Sequence, residues 1–327
     1  MGVDGRCLRL ARERLAAERA AREDALDRRR EELFRREPRL REIETALRMT
    51  VTGILSTALR EGADPEAAVG RIQRENLRLQ EERRLLLGAM GEREDALAYR
   101  PACALCGDTG FIAGKGLCAC LTRLCAEEQK KRLSRLLRMD GQSFSSFDTE
   151  KYSGEWDADM GISPRECAER TKKACEAFAR SLGTGCENLL LFGEPGLGKT
   201  HLSAAIARVA TENGHSVVYD TAGHIFELLE RRKFNRESEE DREDVEGIFG
   251  AELLIVDDLG TEMPSELARA ALYRIVNTRL TERKSTVINT NLRPDEWKER
   301  YGAATASRLT GEYRLCPLIG EDLRGRK

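Results

Sequence analysis

Residues 193–200 read GEPGLGKT and constrain the fold of this chain more than any other segment. They match the phosphate-binding pattern G-x-x-x-x-G-K-[ST] in full, directly after the short apolar run NLLLF at 188–192. In such loops the glycines let the backbone approach phosphate oxygens, and the first N–H groups of the following helix present partial positive charge to them. A buried strand, this loop and a helix together predict an α/β domain that binds a nucleoside triphosphate. The alternative, a glycine-rich turn without a ligand, is disfavoured by that context.

Short apolar runs alternate with helical patterns from residue 188 onward, which predicts a parallel sheet covered by helices on both faces. An entry helix over 163–182 precedes the sheet, with Ser163 as N-cap and Pro164 at the first helical position. The predicted strands are NLLLF (188–192), SVVYD (216–220), ELLIVDD (252–258), STVINT (285–290) and YRLCPLI (313–319), and the predicted helices between them are 199–213, 222–232 and 264–283.

The glycine-rich loop supplies most of the predicted nucleotide contacts. Lys199 is expected to contact the β- and γ-phosphates, and Thr200 is expected to place its hydroxyl on Mg²⁺. The predicted nucleotide-binding residues of the loop are Gly193, Glu194, Pro195, Gly196, Leu197, Gly198, Lys199, Thr200 and His201.

Two aspartates follow the apolar run LLIV. Asp257 and Asp258 lie at the carboxyl end of a buried strand, the edge that lines the ligand crevice in open parallel sheets. We expect Asp257 to hold Mg²⁺, directly or through water, and Asp258 to polarise the attacking water. Asn291 follows the next strand and is expected to orient that water. The alternatives are an acid pair that merely caps a turn and an asparagine that is an ordinary turn residue.

Four of the ten cysteines lie within CALCGDTGFIAGKGLCAC at 103–120. Cys103 and Cys106 form a C-x2-C pair, and Cys118 and Cys120 form a C-x-C pair after eleven intervening residues. In a chain without a secretion signal such clustering predicts Zn²⁺ held by four thiolates. Zinc would also fold a segment too small for a core of its own. Because C-x-C is a tight second pair, Cys125 is an alternative ligand, and a redox pair is the competing interpretation.

The first hundred residues are rich in Arg, Glu and Leu and predict a helical arm. Leu26, Leu33, Leu40 and Leu47 recur every seven residues and form an apolar stripe flanked by charges. Pro38 is expected to kink or end the first helix. The GADP segment at 62–65 separates it from a further helix at 66–97. The narrow stripe favours a coiled coil or partner-docking arm, and the alternative is a solvated hairpin without a binding role.

Charge and hydropathy exclude several classes of protein. The formal net charge is −2, so any contact with nucleic acid requires a local basic patch. No apolar run reaches the ~18 residues of a membrane span, and the N-terminus lacks the apolar segment of a signal peptide. We therefore expect a cytoplasmic protein without a membrane partner.

The segments NLLLFGEPGLGKTHLSAAIA, SVVYDTA, LLIVDDLG and INTNL, in this order, resemble the DnaC/DnaI branch of AAA+ ATPases. The resemblance covers roughly 140–327, and the Asp257–Asp258 doublet fits this branch. It implies ATP as the nucleotide, an AAA+ core without a C-terminal helical lid, and a role in loading the replicative hexameric DNA helicase. The IstB transposition helper is a near relative of this branch. The cysteine segment is similar to the zinc-binding segment of DnaI-type loaders, although the upstream arm is more charged than expected.

The same resemblance implies two arginines at the nucleotide site. Arg308, in the SRL segment, would act as an Arg finger on the γ-phosphate of ATP held by a neighbouring subunit, which implies an ATP-dependent homo-oligomer. Arg324, in GEDLR, matches a second arginine of the family's closing segment. A surface salt bridge is the alternative for each.

A basic stretch with one aromatic side chain follows the second predicted strand. Such a stretch can bind single-stranded DNA through phosphate contacts and base stacking, and the family resemblance points to the same region. Six acidic residues follow almost at once, so a solvated helix end is the alternative. The candidate DNA-contacting residues are Arg231, Arg232, Lys233, Phe234 and Arg236.

These features divide the chain into four predicted parts: a helical arm (1–98), a four-cysteine zinc-binding module with its following helix (99–139), a connector and entry helix (140–187), and the AAA+ core (188–327). The leading hypothesis is an ATP-dependent loader that places the replicative helicase on single-stranded DNA, with slow, partner-dependent hydrolysis. The alternatives are an IstB-like transposition helper and an adaptor that binds nucleotide as a switch without hydrolysing it.

Overall fold

The computed structural model describes residues 5–58, 65–137, 141–158, 161–183 and 187–325. The chain forms two compact units. The core unit comprises Met1–Glu13 and Lys115–Lys327, and the arm unit comprises Arg14–Gly114. Among the helices in the described ranges, none is long and apolar enough to cross a membrane.

Three helices build the N-terminal hundred residues: α1 (Gly5–Arg36), α2 (Pro38–Ala58) and α3 (Pro65–Ala89). The predicted break at Pro38 is confirmed, because α1 ends at Arg36. Helix α3 ends eight residues earlier than predicted. Gly91 takes a positive φ of 74° there, and the N–H of Glu92 donates to the carbonyl of Leu87 at 2.9 Å, a hydrogen bond that closes a helix end. Residues 62–64 of the predicted separator lie outside the described residues.

Part of the leucine stripe is buried inside the arm unit itself. Leu33 and Leu40 are fully buried and pack with Leu87 and Leu97. The segment after α3 therefore covers part of the surface that we predicted to await a partner. Among the described side chains of α3, the large exposed apolar ones are Leu77 and Leu85, which are 66% and 59% exposed.

The core unit contains the predicted alternation of strands and helices, with element ends within two residues of those predicted. The Ser163 N-cap is also confirmed, since its side chain accepts from the N–H of Glu166. After the short strands β1 (Phe111–Ile112) and β2 (Gly116–Leu117), the elements are α4 (Ala119–Leu137), α5 (Pro164–Ser181), β3 (Leu189–Phe192), α6 (Lys199–Glu212), β4 (Val217–Thr221), α7 (Ala222–Lys233), α8 (Glu239–Gly250), β5 (Leu253–Leu259), α9 (Glu266–Thr281), β6 (Ser285–Thr290), α10 (Trp297–Tyr301), α11 (Ala303–Glu312) and β7 (Arg314–Pro317).

Helices α8, α10 and α11 were not predicted from sequence. Helix α8 lies in the acidic stretch and is started by a capping box, in which Ser238 and Asp241 each bond the other's backbone N–H. This helix was not recognised from sequence because the stretch is mostly acidic and has too few apolar residues to show a helical period.

The five strands β3 to β7 form one parallel sheet in the order β4-β5-β6-β3-β7, whereas β1 and β2 pair only with each other. Apolar clusters cover both faces: Leu189 and Leu191 of β3 belong to one, and Leu190 between them belongs to the other. Because all five strands run the same way, the residues that end them meet at one edge of the sheet.

Candidate functional site

The glycine-rich loop between β3 and α6 has the backbone of a phosphate cradle. Gly193, Gly196 and Gly198 have φ values of 144°, 82° and 79°, which residues other than glycine rarely adopt. A Cβ atom on Gly198 would also lie 2.7 Å from the ring of Phe147. The loop leads directly into α6, and the first N–H groups of a helix are donors that a phosphate bound in the loop can use.

Lys199 lies at the centre of this loop and is 7% exposed. Its ammonium donates to the carbonyls of Gly193 and Glu194 at 2.6 and 2.8 Å. Burial lowers the pKa of Lys199, while the negative charges of Asp257 and Asp258 act in the opposite direction. A bound phosphate would offer this ammonium a charged acceptor in place of neutral carbonyls.

Asp257 ends the apolar part of β5 and is held by donors from neighbouring elements. Its Oδ2 accepts from the hydroxyl of Tyr219 at 2.5 Å, and its Oδ1 accepts from the side-chain amide of Asn289 at 2.8 Å. The hydroxyl of Thr200 lies 3.5 Å from the same Oδ1. These donors fix the orientation of the carboxylate.

Asp258 sits on a β-bulge. The register between β5 and β6 shifts between Val256 and Leu259, and Asp258 takes a positive φ of 54°. The extra residue turns the Asp258 side chain out of the strand's alternation, which is how bulges redirect side chains at active sites. Desolvation and then the charge of Asp257 raise the pKa of Asp258, against the opposing effect of Lys199 and Arg324.

Most of the predicted nucleotide residues line one cavity of about 410 Å³ at the carboxyl edge of the sheet, whereas Gly193, Glu194, Leu197 and Asp257 are not part of its lining. The structure thus brings Asn291 and Arg324 to the loop and to Asp258. The cavity is lined by Gln142, Pro195, Gly196, Gly198, Lys199, Thr200, His201, Asp258, Asn291 and Arg324.

The donor set at this edge fits a magnesium ion. Thr200 offers a hydroxyl and Asp257 a carboxylate, the oxygen ligands that Mg²⁺ prefers. Because both oxygens of Asp257 already accept hydrogen bonds, contact through metal-bound water is easier for this carboxylate than direct coordination. When bound, the ion would neutralise charge on the β- and γ-phosphates.

Sequence reasoning missed Gln142, which lines the cavity, and the two residues that hold Asp257. Tyr219 on β4 and Asn289 on β6 are almost fully buried, and both hold Asp257. Asn289 in turn accepts from the hydroxyl of Ser203 at 2.7 Å. The available signal was a polar residue inside an otherwise buried strand, since such a group must find a partner. From sequence, Asn291 was the only asparagine to which we gave a role at the site, that of orienting the attacking water.

Arg308 is not among the residues that line the cavity of its own chain. It lies on α11, where its guanidinium donates to the side chain of Asn277 at 2.8 Å and stacks 4.9 Å from the ring centre of Tyr273. These contacts hold its side chain against α9.

The four clustered cysteines bring their sulfur atoms within 4.8 Å of one another. Tetrahedral zinc, with Zn–S distances of about 2.3 Å, requires a cluster of this size. The N–H of Gly110 lies 3.3 Å from the sulfur of Cys106, a contact that stabilises a thiolate. Cys125 does not belong to the group that the described residues form.

Asp108 organises the first cysteine pair. Its carboxylate accepts from the N–H groups of Ala102 and Cys103 at 3.0 and 2.8 Å and from the hydroxyl of Tyr99 at 2.8 Å. Burial raises the pKa of Asp108, but these donors outweigh it and hold the pKa below its usual value. The loop is therefore shaped by protein contacts as well as by any metal.

The basic stretch ends α7 and is partly neutralised by acidic neighbours. Arg231 pairs with Asp241 at 3.2 Å, and Arg232 lies 3.9 Å from Glu237. Phe234 is 53% exposed, and the ammonium of Lys233 lies 6.0 Å from its ring centre. The acidic residues just before and within the first turn of α8 thus weaken the local field, while the aromatic ring remains accessible.

Known proteins resemble part of this chain. The insertion sequence IS21 putative ATP-binding protein of Pseudomonas aeruginosa is 32% identical over 144 residues, 42% of this chain and 52% of that protein. The replicative helicase loader DnaC of Escherichia coli (strain K12) is 25% identical over 122 residues, 37% of this chain and 49% of that protein. The chain thus spans about half the length of these curated relatives.

Among solved structures, the crystal structure of the DnaC helicase loader matches with a TM-score of 0.45 and 19% identity, over 56% of this chain and 99% of that one. The model of the family described as IstB-like ATP binding protein matches residues 115–313, more than half of the chain. With the loop, the paired aspartates and the parallel sheet in place, this match shows that the chain belongs to the IstB-like ATP binding protein family.

Proposed function

We propose that this protein is an ATP-dependent loader that binds the replicative DNA helicase and helps to place it on single-stranded DNA. The observation that carries the ATP-dependent part is the position of Asp257, fixed among Tyr219, Asn289 and Thr200 beside the glycine-rich loop. Such a carboxylate is oriented before nucleotide arrives, as electrostatic catalysis of phosphoryl transfer requires.

Six residues of the site take roles in this proposal. Lys199 stabilises charge on the β- and γ-phosphates, while Thr200 and Asp257 hold Mg²⁺. Asp258, turned outward by the bulge, accepts a proton from the attacking water, which Asn291 orients. Arg324, which lines the same cavity, adds positive charge beside the phosphates.

Arg308 would complete the site of a neighbouring copy. Arg308 does not line the cavity of its own chain, and this supports the role, because an arginine finger acts across a subunit boundary. Hydrolysis would then require an ATP-dependent homo-oligomer and would be slow in the isolated chain.

The arm unit would dock on the helicase, together with the zinc-bound cysteine segment. Leu77 and Leu85 support this role, because they are eight residues apart on α3 and therefore lie on one face. Exposed leucines on a charged helix are a suitable apolar anchor for a partner.

Single-stranded DNA would contact the end of α7. With Arg231 and Arg232 engaged by acidic side chains, we assign the contact chiefly to base stacking on Phe234 and to phosphate contacts of Lys233 and Arg236.

The decisive experiment is co-purification of the full chain with a purified hexameric replicative helicase, in the presence of ATP. We expect a Leu77→Asp/Leu85→Asp variant to weaken this complex at least about tenfold, because charge would replace an apolar anchor. The matched control is Gln73→Asp/Gln80→Asp, which adds the same charges at exposed polar positions of α3. Absence of any helicase complex with the unaltered chain would contradict the loader proposal.

A transposition helper is the second candidate, and one observation favours it. The IS21 ATP-binding protein is more similar to this chain than DnaC is, at 32% against 25% identity. The same co-purification with a transposase in place of the helicase tests it directly. A non-hydrolysing nucleotide switch is the third candidate, and an ATP turnover rate unchanged by Asp258→Asn would favour it.

A further inference from the structure

We propose that Gln142 reads the ribose of the bound nucleotide, and that its side-chain oxygen accepts a hydrogen bond from a ribose hydroxyl. The inference rests on the proposed ATP site and adds a residue that sets nucleotide preference. It starts from an orphaned atom: Oε1 of Gln142 is buried, and no donor in the described parts of the chain reaches it.

The orphaned atom belongs to a side chain of the nucleotide cavity. Gln142 lines the cavity of about 410 Å³ together with the loop glycines, Lys199 and Thr200. A buried acceptor without a donor is costly, whereas a ligand that supplies a donor removes that cost on binding. Nucleotide is the ligand that this cavity is shaped to hold.

The segment 141–152 that carries Gln142 is fastened to the loop at three points. The Nε2 atom of His201 lies 2.9 Å from the carbonyl oxygen of Ser143, and the hydroxyl of Tyr152 donates to the carbonyl of Leu197 at 2.7 Å. Between these two contacts, the ring of Phe147 covers Gly198. The position of Gln142 is therefore set by the loop itself.

These contacts place Gln142 away from the γ-phosphate end. Leu197, Gly198 and His201 belong to the turn and first helical residues that cradle the inner phosphates, whereas Asp257 and Asp258 define the far end, where the γ-phosphate reacts. The ribose is bonded to the innermost phosphate, so it lies next to the fastened segment.

The chemistry of the atom selects the ribose over the phosphates. A carbonyl oxygen repels phosphate oxygens, which have no protons to donate at neutral pH. The remaining donors of ATP are the ribose hydroxyls and the adenine amino group. The ribose is nearer, because the sugar separates the base from the phosphates.

The test measures binding of ATP, 2′-deoxy-ATP, 3′-deoxy-ATP and ITP to the full chain by competition against a fluorescent ATP analogue. We expect unaltered protein to prefer ATP over one deoxy analogue by about tenfold, the effect of losing one buried hydrogen bond. Gln142→Ala should lose this preference because its affinity for ATP falls while its affinity for that deoxy analogue is unchanged. Gln142→Glu, which retains an acceptor, should keep the preference.

Ser145→Ala is the matched control, since Ser145 is an exposed residue of the same segment. It should retain the affinities of the unaltered chain. Equal affinity for ATP and both deoxy analogues, or a preference that survives in Gln142→Ala, would overturn the assignment. A preference for ATP over ITP that disappears in Gln142→Ala, with no effect of the deoxy sugars, would also overturn it in favour of the adenine amino group. Failure to bind ATP at all would instead reject the proposed ATP function.

Discussion

The hydroxyl of Tyr219 donates a 2.5 Å hydrogen bond to Oδ2 of Asp257, and both residues are almost fully buried. The two lie on neighbouring parallel strands, and the contact fixes the orientation of the carboxylate. Burial and the nearby charge of Asp257 raise the pKa of Tyr219, so its hydroxyl keeps its proton and remains a donor.

Tyr219→Phe should therefore lower ATP turnover by about tenfold, because one charge-assisted hydrogen bond to Asp257 is lost. Steady-state hydrolysis assays with saturating Mg²⁺ measure the change. Tyr301→Phe is the matched control, since the buried hydroxyl of Tyr301 also donates to a carboxylate, Oε1 of Glu262 at 2.6 Å, and neither residue lines the cavity. Equal turnover in the two variants would show that the Tyr219 contact does not support catalysis.

Lys199→Ala should abolish ATP binding, because the variant removes the only side-chain cation at the centre of the described loop. Calorimetric titration with ATP measures the loss. Lys173→Ala, at an exposed lysine of α5, should bind as the unaltered chain does. Retained affinity in Lys199→Ala would contradict the phosphate assignment.

Arg308→Ala should leave ATP binding intact and reduce hydrolysis by roughly 10³-fold or to background, the effect of losing an arginine finger. Asp258→Asn should also abolish hydrolysis. Mixing the two inactive variants should restore part of the activity, because some mixed interfaces combine an intact Asp258 with an intact Arg308. A mixture that stays inactive while both variants still self-associate would argue against a site completed by a neighbour.

Metal analysis of the purified chain should find about one zinc ion per molecule. Cys103→Ser/Cys106→Ser should lose it, whereas Cys125→Ser should retain it, since Cys125 lies outside the sulfur cluster. Loss of zinc in Cys125→Ser alone would revive Cys125 as a ligand. Absence of zinc from the unaltered chain would favour the redox interpretation.

Arg279 is fully buried, and its replacement should affect stability and not nucleotide binding. Its guanidinium donates to the carbonyls of Ile248 and Ser285 at 2.8 and 2.7 Å and to the hydroxyl of Thr286 at 3.0 Å. A lysine ammonium cannot donate in these three directions from one planar group. In Arg279→Lys the free energy of unfolding should therefore fall by about 2–4 kcal/mol.

Urea denaturation measures the effect of the Arg279 change. The control is Arg208→Lys, which alters an exposed arginine of α6 that pairs with Glu212. A loss of stability in Arg208→Lys as large as in Arg279→Lys would contradict a special role for the buried guanidinium.

Most strands of the core could be predicted from sequence, because short apolar runs beside turn residues have few alternatives in a parallel sheet. The start of α5 could also be predicted, since an N-cap serine, Ser163, is followed directly by Pro164 at the first helical position. The start of α8 could not be predicted, because its capping box lies in an acidic stretch where no apolar period marks a helix.

The sequence by itself determined the loop at 193–200 and the aspartates after LLIV, since both depend on residues that are adjacent in the chain. Only the tertiary structure decided that Tyr219 and Asn289 hold Asp257 and that Gln142 reaches the cavity. It also decided that Leu33 and Leu40 are used within the arm. The physical reason is that these contacts join segments distant in the chain, and their geometry follows from strand order and packing, which local patterns do not encode.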